Sequence, residues 1–258
     1  MSLRSKFEGM YWFMRRRIIP KLQGSQDIYE HTLKSLMRPD LRWLDIGCGH
    51  QILAEWRADA EQELLPPGGV VVGLDYDLPS LQAHRSIFLR VRGDIVQLPF
   101  VDSSFDLVTA NMVIEHLSDP AAQFAEVSRI LKPGGLFLFH TPNARGYFSL
   151  IRGLMPNAFA SRLASMLDGR ESVDIFPVEY KANTTSKIGD LAQNARLEVL
   201  KTKMVVSEAV TQVVPPLALI ELLCIRALMT EPLKPFRTNI ISILAKKAGD
   251  ALPSASPR

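Results

Sequence analysis

Apolar positions along the chain alternate between helical spacing and short continuous runs. Up to about Arg38 the spacing is helical, with Ile28, Thr32, Leu33 and Leu36 following a capping residue at Ser25. Leu41 to Ile46 is a short apolar run that ends in Gly47-Cys48-Gly49, the pattern of a buried strand entering a tight turn. A helical stretch over Ile52 to Leu65 is closed by Pro66-Pro67-Gly68-Gly69, and Val70 to Leu74 forms a second apolar strand stopped by Asp75. Phe105 to Ala110 reads as a strand. Asp119-Pro120 then opens a helix with an acidic cap and a proline in its first turn. Phe124, Val127, Ile130 and Leu131 are its buried face, Lys132-Pro133-Gly134-Gly135 its end, and Leu136 to His140 the next strand. A helix near Ser186 to Ala195 and strands near Leu197 to Val206 and Asn239 to Lys246 complete the series.

Strands alternating with helices predict an α/β fold with a doubly wound, mostly parallel sheet covered on both faces. Continuous apolar runs, rather than period-two alternation, suit strands buried on both sides. Residues 1–40 are expected to form an N-terminal helical cap, 41–247 the α/β domain, and 248–258 a disordered tail. Two segments interrupt the alternation. Residues 143–183 carry scattered Gly, Pro and aromatics, and residues 207–235 are apolar and largely helical. Both follow the core strands, where a substrate-side cover is added most simply.

Composition narrows the function little. The chain has 258 residues, of which 47% are hydrophobic, and a net charge of +3, too weak to indicate a nucleic-acid partner. Arg15, Arg16, Arg17 and Lys21 form one local basic cluster, read as the solvated face of a helix, with phosphate or anionic-lipid contact as the alternative. Cys48 and Cys224 have neither disulfide nor metal-ligand spacing, which points to a reducing cytoplasm. Met10 to Met14 is too short for a signal peptide. The apolar run Val213 to Met229, with two prolines, Glu221 and Arg226, falls short of the ~20 residues of a membrane span. That run suits a buried helix or a homodimer surface; the alternatives are a lipophilic pocket wall or a face lying on a membrane.

Candidate chemistry gathers at strand ends, where parallel sheets bind ligands. Gly47 and Gly49 let the backbone turn sharply and approach a ligand without a Cβ in the way. Asp45, just inside the strand, offers acceptors to loop amides or to a ligand ammonium. The dinucleotide fingerprint fails, because its third glycine falls at Ile52. Asp45-x-Gly47-x-Gly49 instead resembles the motif of class I S-adenosylmethionine-dependent methyltransferases, and further matches follow at the family's intervals. These are Asp75 at the second strand end, Gly93-Asp94-Ile95 before Leu98-Pro99-Phe100, Phe105-Asp106-Leu107-Val108 before Asn111 and Glu115-His116-Leu117, and Lys132-Pro133-Gly134-Gly135. The resemblance is close from Arg42 to about Asn143 and loose over the last strands.

The resemblance implies a seven-stranded sheet, S-adenosylmethionine as cofactor and S-adenosylhomocysteine as product. It implies that Asp75 grips both ribose hydroxyls, a bidentate role that a carboxylate can fill. It places Asp94 against the adenine amine, with Ile95 offering its N–H, and sets Asp45, Gly47, Cys48, Gly49, Tyr76 and Asn111 around the cofactor. Cys48 is read as a space-filling side chain and Asp77 as the alternative to Asp75. The loop departs from the family at its third glycine, where Gln51 stands after His50; these two either meet the methionine end of the cofactor or leave the loop with altered contacts. The motifs are similar to the branch containing ubiquinone and menaquinone methyltransferases and bacterial glycan, lipid and natural-product methyltransferases.

Metal-using relatives carry an acid three residues before Glu-His. Here that residue is Met112, a poor ligand for Mg²⁺, so no metal is expected. A small-molecule acceptor is expected, most simply a hydroxyl of a glycan, lipid-linked or natural-product substrate. Carbon or nitrogen methylation, and a non-catalytic cofactor-binding subunit, are the alternatives. Of the candidate bases His140, His116, Glu179 and Tyr180, His140 ranks ahead of His116 because it closes a strand at the substrate edge.

Overall fold

A computed structural model describes residues 3–154 and 178–248 of the chain. In chain order it contains α1 (Leu3–Ile18), α2 (Ser25–Leu36), β1 (Arg42–Ile46), a 3-10 helix (Glu55–Leu64), β2 (Val70–Asp75), α3 (Leu78–Gln82) and β3 (Leu89–Arg92). Then follow β4 (Phe105–Asn111), a 3-10 turn (Ile114–His116), α4 (Pro120–Ile130), β5 (Leu131–Pro142), α5 (Tyr147–Leu154), α6 (Thr185–Asn194), β6 (Leu197–Val205), α7 (Pro215–Leu228) and β7 (Asn239–Lys246). The strands form one seven-stranded sheet in the order β3-β2-β1-β4-β5-β7-β6. From β1 the chain runs outward to β2 and β3, then returns to lay β4 on the other side of β1. The β1–β4 pair is therefore the switch point, and all four pairs from β3 to β5 are parallel. Asp45 stands opposite Thr109 in that pair, and Ile46 opposite Ala110.

Three elements differ from the sequence expectation. Residues 55–64 form a 3-10 helix rather than a continuation of a helix begun at Ile52. The reason lies in its own side chain, since Glu61 turns back and accepts from the amides of Ile52 and Leu53, both at 3.1 Å. Lys132-Pro133-Gly134-Gly135 is not a turn outside the sheet but part of β5, with a register shift between Phe105 and Leu107 on the facing strand. Gly134 adopts φ +77, and a Cβ at Gly135 would lie 2.8 Å from the Lys132 carbonyl, so both glycines serve the bulge. The strand β3 has no apolar run to announce it, being Leu-Arg-Val-Arg and mostly exposed at the sheet edge. The end of the 143–183 segment is described only from residue 178, and the expected disordered tail lies outside the described residues.

By chain contacts the described residues fall into two compact units. The first takes in 29–141, 179–203 and 241–248, and the second 3–28, 142–154, 178 and 204–240. In the first, Trp43 is fully buried and donates from Nε1 to Thr109 Oγ1 at 2.6 Å, tying β1 to β4 by side chains as well as backbone. Phe124 of α4 meets Phe137 and Phe139 of β5 edge-to-face, with ring centroids 5.7 and 5.9 Å apart. In the second, Tyr11, Leu222 and Ile225 are central to a core built from α1, the residues after β6, and α7. Glu221 is tolerated inside the apolar α7 because it accepts from Tyr147 Oη (2.7 Å) and from the amides of Val210 (3.0 Å) and Thr211 (2.8 Å).

Phe124→Ala should reduce stability by ~3–5 kcal/mol, the usual cost of deleting a buried ring. Urea unfolding checks this, and a loss under ~1 kcal/mol would show that α4 repacks on β5 without it.

Candidate active site

The loop after β1 is held from two sides. The amides of Gly47 and Cys48 donate to the Leu74 carbonyl of β2, at 2.7 and 3.2 Å. Gly47 takes φ +64, and a Cβ there would lie 2.3 Å from Val113, so only glycine lets the loop pass the end of β4. Gly49, at φ +52, has nothing within 4 Å of its missing Cβ. Cys48 is buried, and burial pushes its thiol pKa far up, which makes it inert. Its sulfur fills the space over Gly73, where a Cβ would come within 2.7 Å.

Asp45 is nearly sealed, with 5% of its surface exposed. Burial raises its pKa to about 7; a hydrogen bond from Thr109 Oγ1 works against the shift, and the charges of Asp75 and Glu61 add to it. Among the described residues no cation pairs with it. Asp75, half-buried at the end of β2, accepts from the Gly49 amide at 2.7 Å with one oxygen and from the Asp77 amide at 2.8 Å with the other. Each oxygen of a carboxylate carries two acceptor sites, so one per oxygen remains. Asp77 is committed elsewhere, since it caps α3 by accepting from Ser80 N at 2.9 Å. Tyr76 is exposed, with the Arg92 guanidinium 5.8 Å over its ring. Asp94 is exposed, and one of its oxygens accepts from Val96 N at 3.0 Å; Ile95 beside it is half-buried.

The position of the missing third glycine has its own support. Gln51 does not stand alone in the loop: its side-chain oxygen accepts from Arg85, whose amide donates to the His50 carbonyl at 3.2 Å. Glu61, buried, joins the Ile52 and Leu53 amides to the Ser86 hydroxyl. His84 lies beneath, its Nδ1 accepting from the amides of Ser86 and Ile87 at 3.3 and 3.1 Å. The sequence reading found none of Glu61, His84, Arg85 or Ser86. Their only signal was a run of polar residues between two strands, which is what a surface helix also shows.

At the next strand ends, Asn111 Oδ1 lies 2.9 Å from His140 Nδ1. His140 is fully buried and stacks on Tyr29 with ring centroids 5.7 Å apart, and burial lowers its pKa to about 3. Met112 takes φ +59 and donates its amide to the His140 carbonyl at 2.8 Å. Glu115 is buried, its pKa raised by burial, and accepts from Thr141 Oγ1 at 3.0 Å. Its carbonyl receives the amides of Glu179 (2.8 Å) and Tyr180 (3.2 Å), which brings those two residues beside the half-buried His116.

Residues 44–139 match the family described as Methyltransferase domain. A Mycolicibacterium smegmatis protein named "Probable S-adenosylmethionine-dependent methyltransferase" is 35% identical over 158 residues, 60% of this chain and 54% of its own. A demethylmenaquinone methyltransferase of Lactiplantibacillus plantarum is 38% identical over 101 residues, 35% of this chain and 40% of its own. The chain thus spans about half the length of the curated relatives it matches. Among solved structures, an S-adenosylmethionine-dependent methyltransferase from Mesorhizobium loti shares the fold at TM-score 0.53 and 17% identity, over 86% of this chain and 98% of its own. The strand order and the loop glycines agree with that fold, and residues 44–139 are similar to the methyltransferase domain of enzymes that take S-adenosylmethionine as cofactor.

The residues present fit that cofactor. Open space stands over Gly49, a buried carboxylate at Asp45 has no cation, and Asp75 retains one acceptor site on each oxygen. Two outcomes follow. Asp75→Ala should weaken S-adenosylhomocysteine binding at least ~10-fold by calorimetry, since each lost charge-assisted bond is worth ~1.5–3 kcal/mol; unchanged affinity in a folded variant removes Asp75 from the site. The second concerns Asp45. Its folded pKa of about 7 lies above the unfolded value of 3.8, so the folded state holds a proton that the unfolded chain has released. The sign is then fixed: stability without ligand falls as pH rises from 3.8 to about 7. An ammonium bound at Asp45 favours the ionised form, so binding releases a proton below pH ~7 and affinity rises with pH up to that value. Calorimetry in buffers of differing ionisation enthalpy reads that proton directly, and in Asp45→Asn the release should vanish.

Proposed function

We propose that the protein transfers the methyl group of S-adenosylmethionine to a small-molecule acceptor, namely a hydroxyl of a glycan, lipid-linked or natural-product substrate. The observation that carries the reading is the pair Asp45 and Asp75, set at adjacent strand ends beside the switch point, the first buried without a cation and the second fixed by two loop amides. In this reading Asp45 holds the cofactor's ammonium, Asp75 its ribose hydroxyls, and Asp94 with the Ile95 N–H its adenine. Gly47 and Gly49 keep the backbone close, and Asn111 and Tyr76 border the same edge. Bound there, the cofactor supplies a methyl group already activated by its sulfonium.

What is left to the protein is to orient the acceptor and to take the hydroxyl proton. The sequence places His140 first for that task, and the structure's chemistry argues for His116. A ring enclosed in the core, with a pKa of about 3, holds almost no protons at neutral pH. A general base works best with a pKa near the working pH. His140 instead orients Asn111, its Nδ1–H donating to Oδ1 in the tautomer that this contact selects. His116 is half-buried, so its ring is not sealed in the core as that of His140 is, and it directly follows Glu115. Glu179 and Tyr180 stand beside it, Tyr180 at a strained φ of +50, which is the kind of backbone outlier found where a side chain must be aimed.

The test uses purified protein, labelled cofactor and a panel of hydroxyl acceptors. Turnover should persist in EDTA, because Met112 stands where metal-using relatives carry an acid. His116→Ala should slow methyl transfer by ~10²–10⁴-fold at unchanged stability. His140→Ala should mainly lower the melting temperature. Activity lost in EDTA and restored by Mg²⁺ refutes the metal-free mechanism, and full activity of His116→Ala removes that imidazole from it.

A further inference from the structure

The helix α7 is apolar on both sides. Its inner half, with Ala218, Leu222, Ile225 and Leu228, closes the core it shares with α1. Its outer half carries Leu217, Leu219, Ile220 and Leu223, and Ile220 and Leu223 are 59% and 52% exposed. The one charge on that outer half, Arg226, sits in the last turn. A helix that is apolar all round belongs inside something. At 14 residues α7 is too short to cross a bilayer, and among the described residues no helix is long and apolar enough to do so.

The helix it packs on presents a related outer face. On α1, Lys6, Met10, Phe13 and Arg17 recur at i, i+4, i+7 and i+11, one stripe with basic ends and an apolar middle. Phe13 is 55% exposed and Trp12 beside it 43%. Arg17 lies over the exposed Phe13 ring at 5.6 Å, so cation and ring reach the surface together, whereas Arg15, 5.2 Å from the Trp12 ring, is turned inward and paired with Glu208. Arg16 and Lys21 add further exposed positive charge, and the only acid in α1 is Glu8. Exposed cations thus stand on and just after the helix that packs against α7.

We propose that the outer faces of α1 and α7 form a docking surface for an anionic lipid membrane, on which the protein lies peripherally. The chemistry of this surface selects that occupant over its rivals. Exposed Trp and Phe flanked by Arg is the composition of an interfacial helix, whose rings enter the headgroup region while the cations meet lipid phosphates. A nucleic acid would satisfy the arginines and leave the leucines of α7 in water. A second copy of the chain, paired through this face, would bring a surface of the same positive sign against it. The surface is independent of the reaction proposed above, and it holds whether or not the chain transfers methyl groups.

The full chain should sediment with vesicles of phosphatidylglycerol and phosphatidylcholine in equal parts and stay in solution with phosphatidylcholine alone. Added salt should weaken binding, because the attraction to the anionic surface is screened. Arg16→Glu with Arg17→Glu should lower partitioning by about fivefold or more per site, the factor for one cation at an anionic surface. Ile220→Ser with Leu223→Ser should lower it at least tenfold, and because both residues are exposed the melting temperature should hold. A measurement on the intact face guards against misfolded variants. In a Trp56→Phe background, brominated lipid should quench Trp12, while Trp43 is buried and stays bright. Failure of the wild-type chain to bind anionic vesicles overturns the proposal. So does absence of Trp12 quenching, or a dimer in the absence of vesicles that Ile220→Ser with Leu223→Ser disperses.

Discussion

Everything at the carboxyl edge is arranged around a carboxylate that the fold takes out of water. Asp45 sits one residue before the end of β1, between β2 and β4, where neighbouring strands leave it 5% exposed. Burying a charge without a partner is costly, and the usual outcome is that the group keeps its proton, as the pKa of about 7 records. The Thr109 hydroxyl, itself fixed by Trp43, donates a hydrogen bond to it. A more stable sheet would place an apolar residue here. Among the described residues the acid has no cation to pair with, so the switch point carries a buried carboxyl with no counter-ion.

That arrangement explains why some of the site is legible in the sequence and some is not. Gly47 and Gly49 are readable because their positions demand positive φ and, at Gly47, clearance from Val113; no other residue serves, so the type itself carries the message. Asp75 is readable because it terminates an apolar run. Glu61 is not, since a single acid among Glu55, Asp59 and Glu63 has nothing to mark it as the buried one. The burial of His140 is equally silent, because a histidine closing a strand looks the same whether Tyr29 or a substrate covers its ring. The strand β3 is missed for a related reason: an edge strand buries little, so it needs no apolar pattern.

The loop after β1 shows how a departure from a motif is absorbed. After Gln51 the chain does not enter an α-helix at once, and the amides of Ile52 and Leu53 need another acceptor. Glu61 supplies it from the following 3-10 helix, and Ser86 and Arg85 tie the same loop to the residues before β3. Three residues that play no part in the motif thus carry its geometry. The same reasoning applies to Glu221 in α7, where three residues converge on one acid inside a largely apolar helix. In both cases a charged residue that composition marks as a defect is the acceptor for amides that no secondary structure satisfies.

Asp75 links the two halves of this logic. Its two oxygens already receive the Gly49 and Asp77 amides, so the carboxylate is aimed before any ligand arrives, and the loop is closed against β2 by the same bonds. A side chain fixed in advance loses little rotamer freedom on binding, which leaves more of each new hydrogen bond as affinity. It also means that removing Asp75 takes away the acceptor of the Gly49 and Asp77 amides. The protonation of Asp45 then becomes the one adjustable element at this edge. The glycines, the loop amides and Asp75 are set by the fold, whereas burial brings the pKa of Asp45 to about 7.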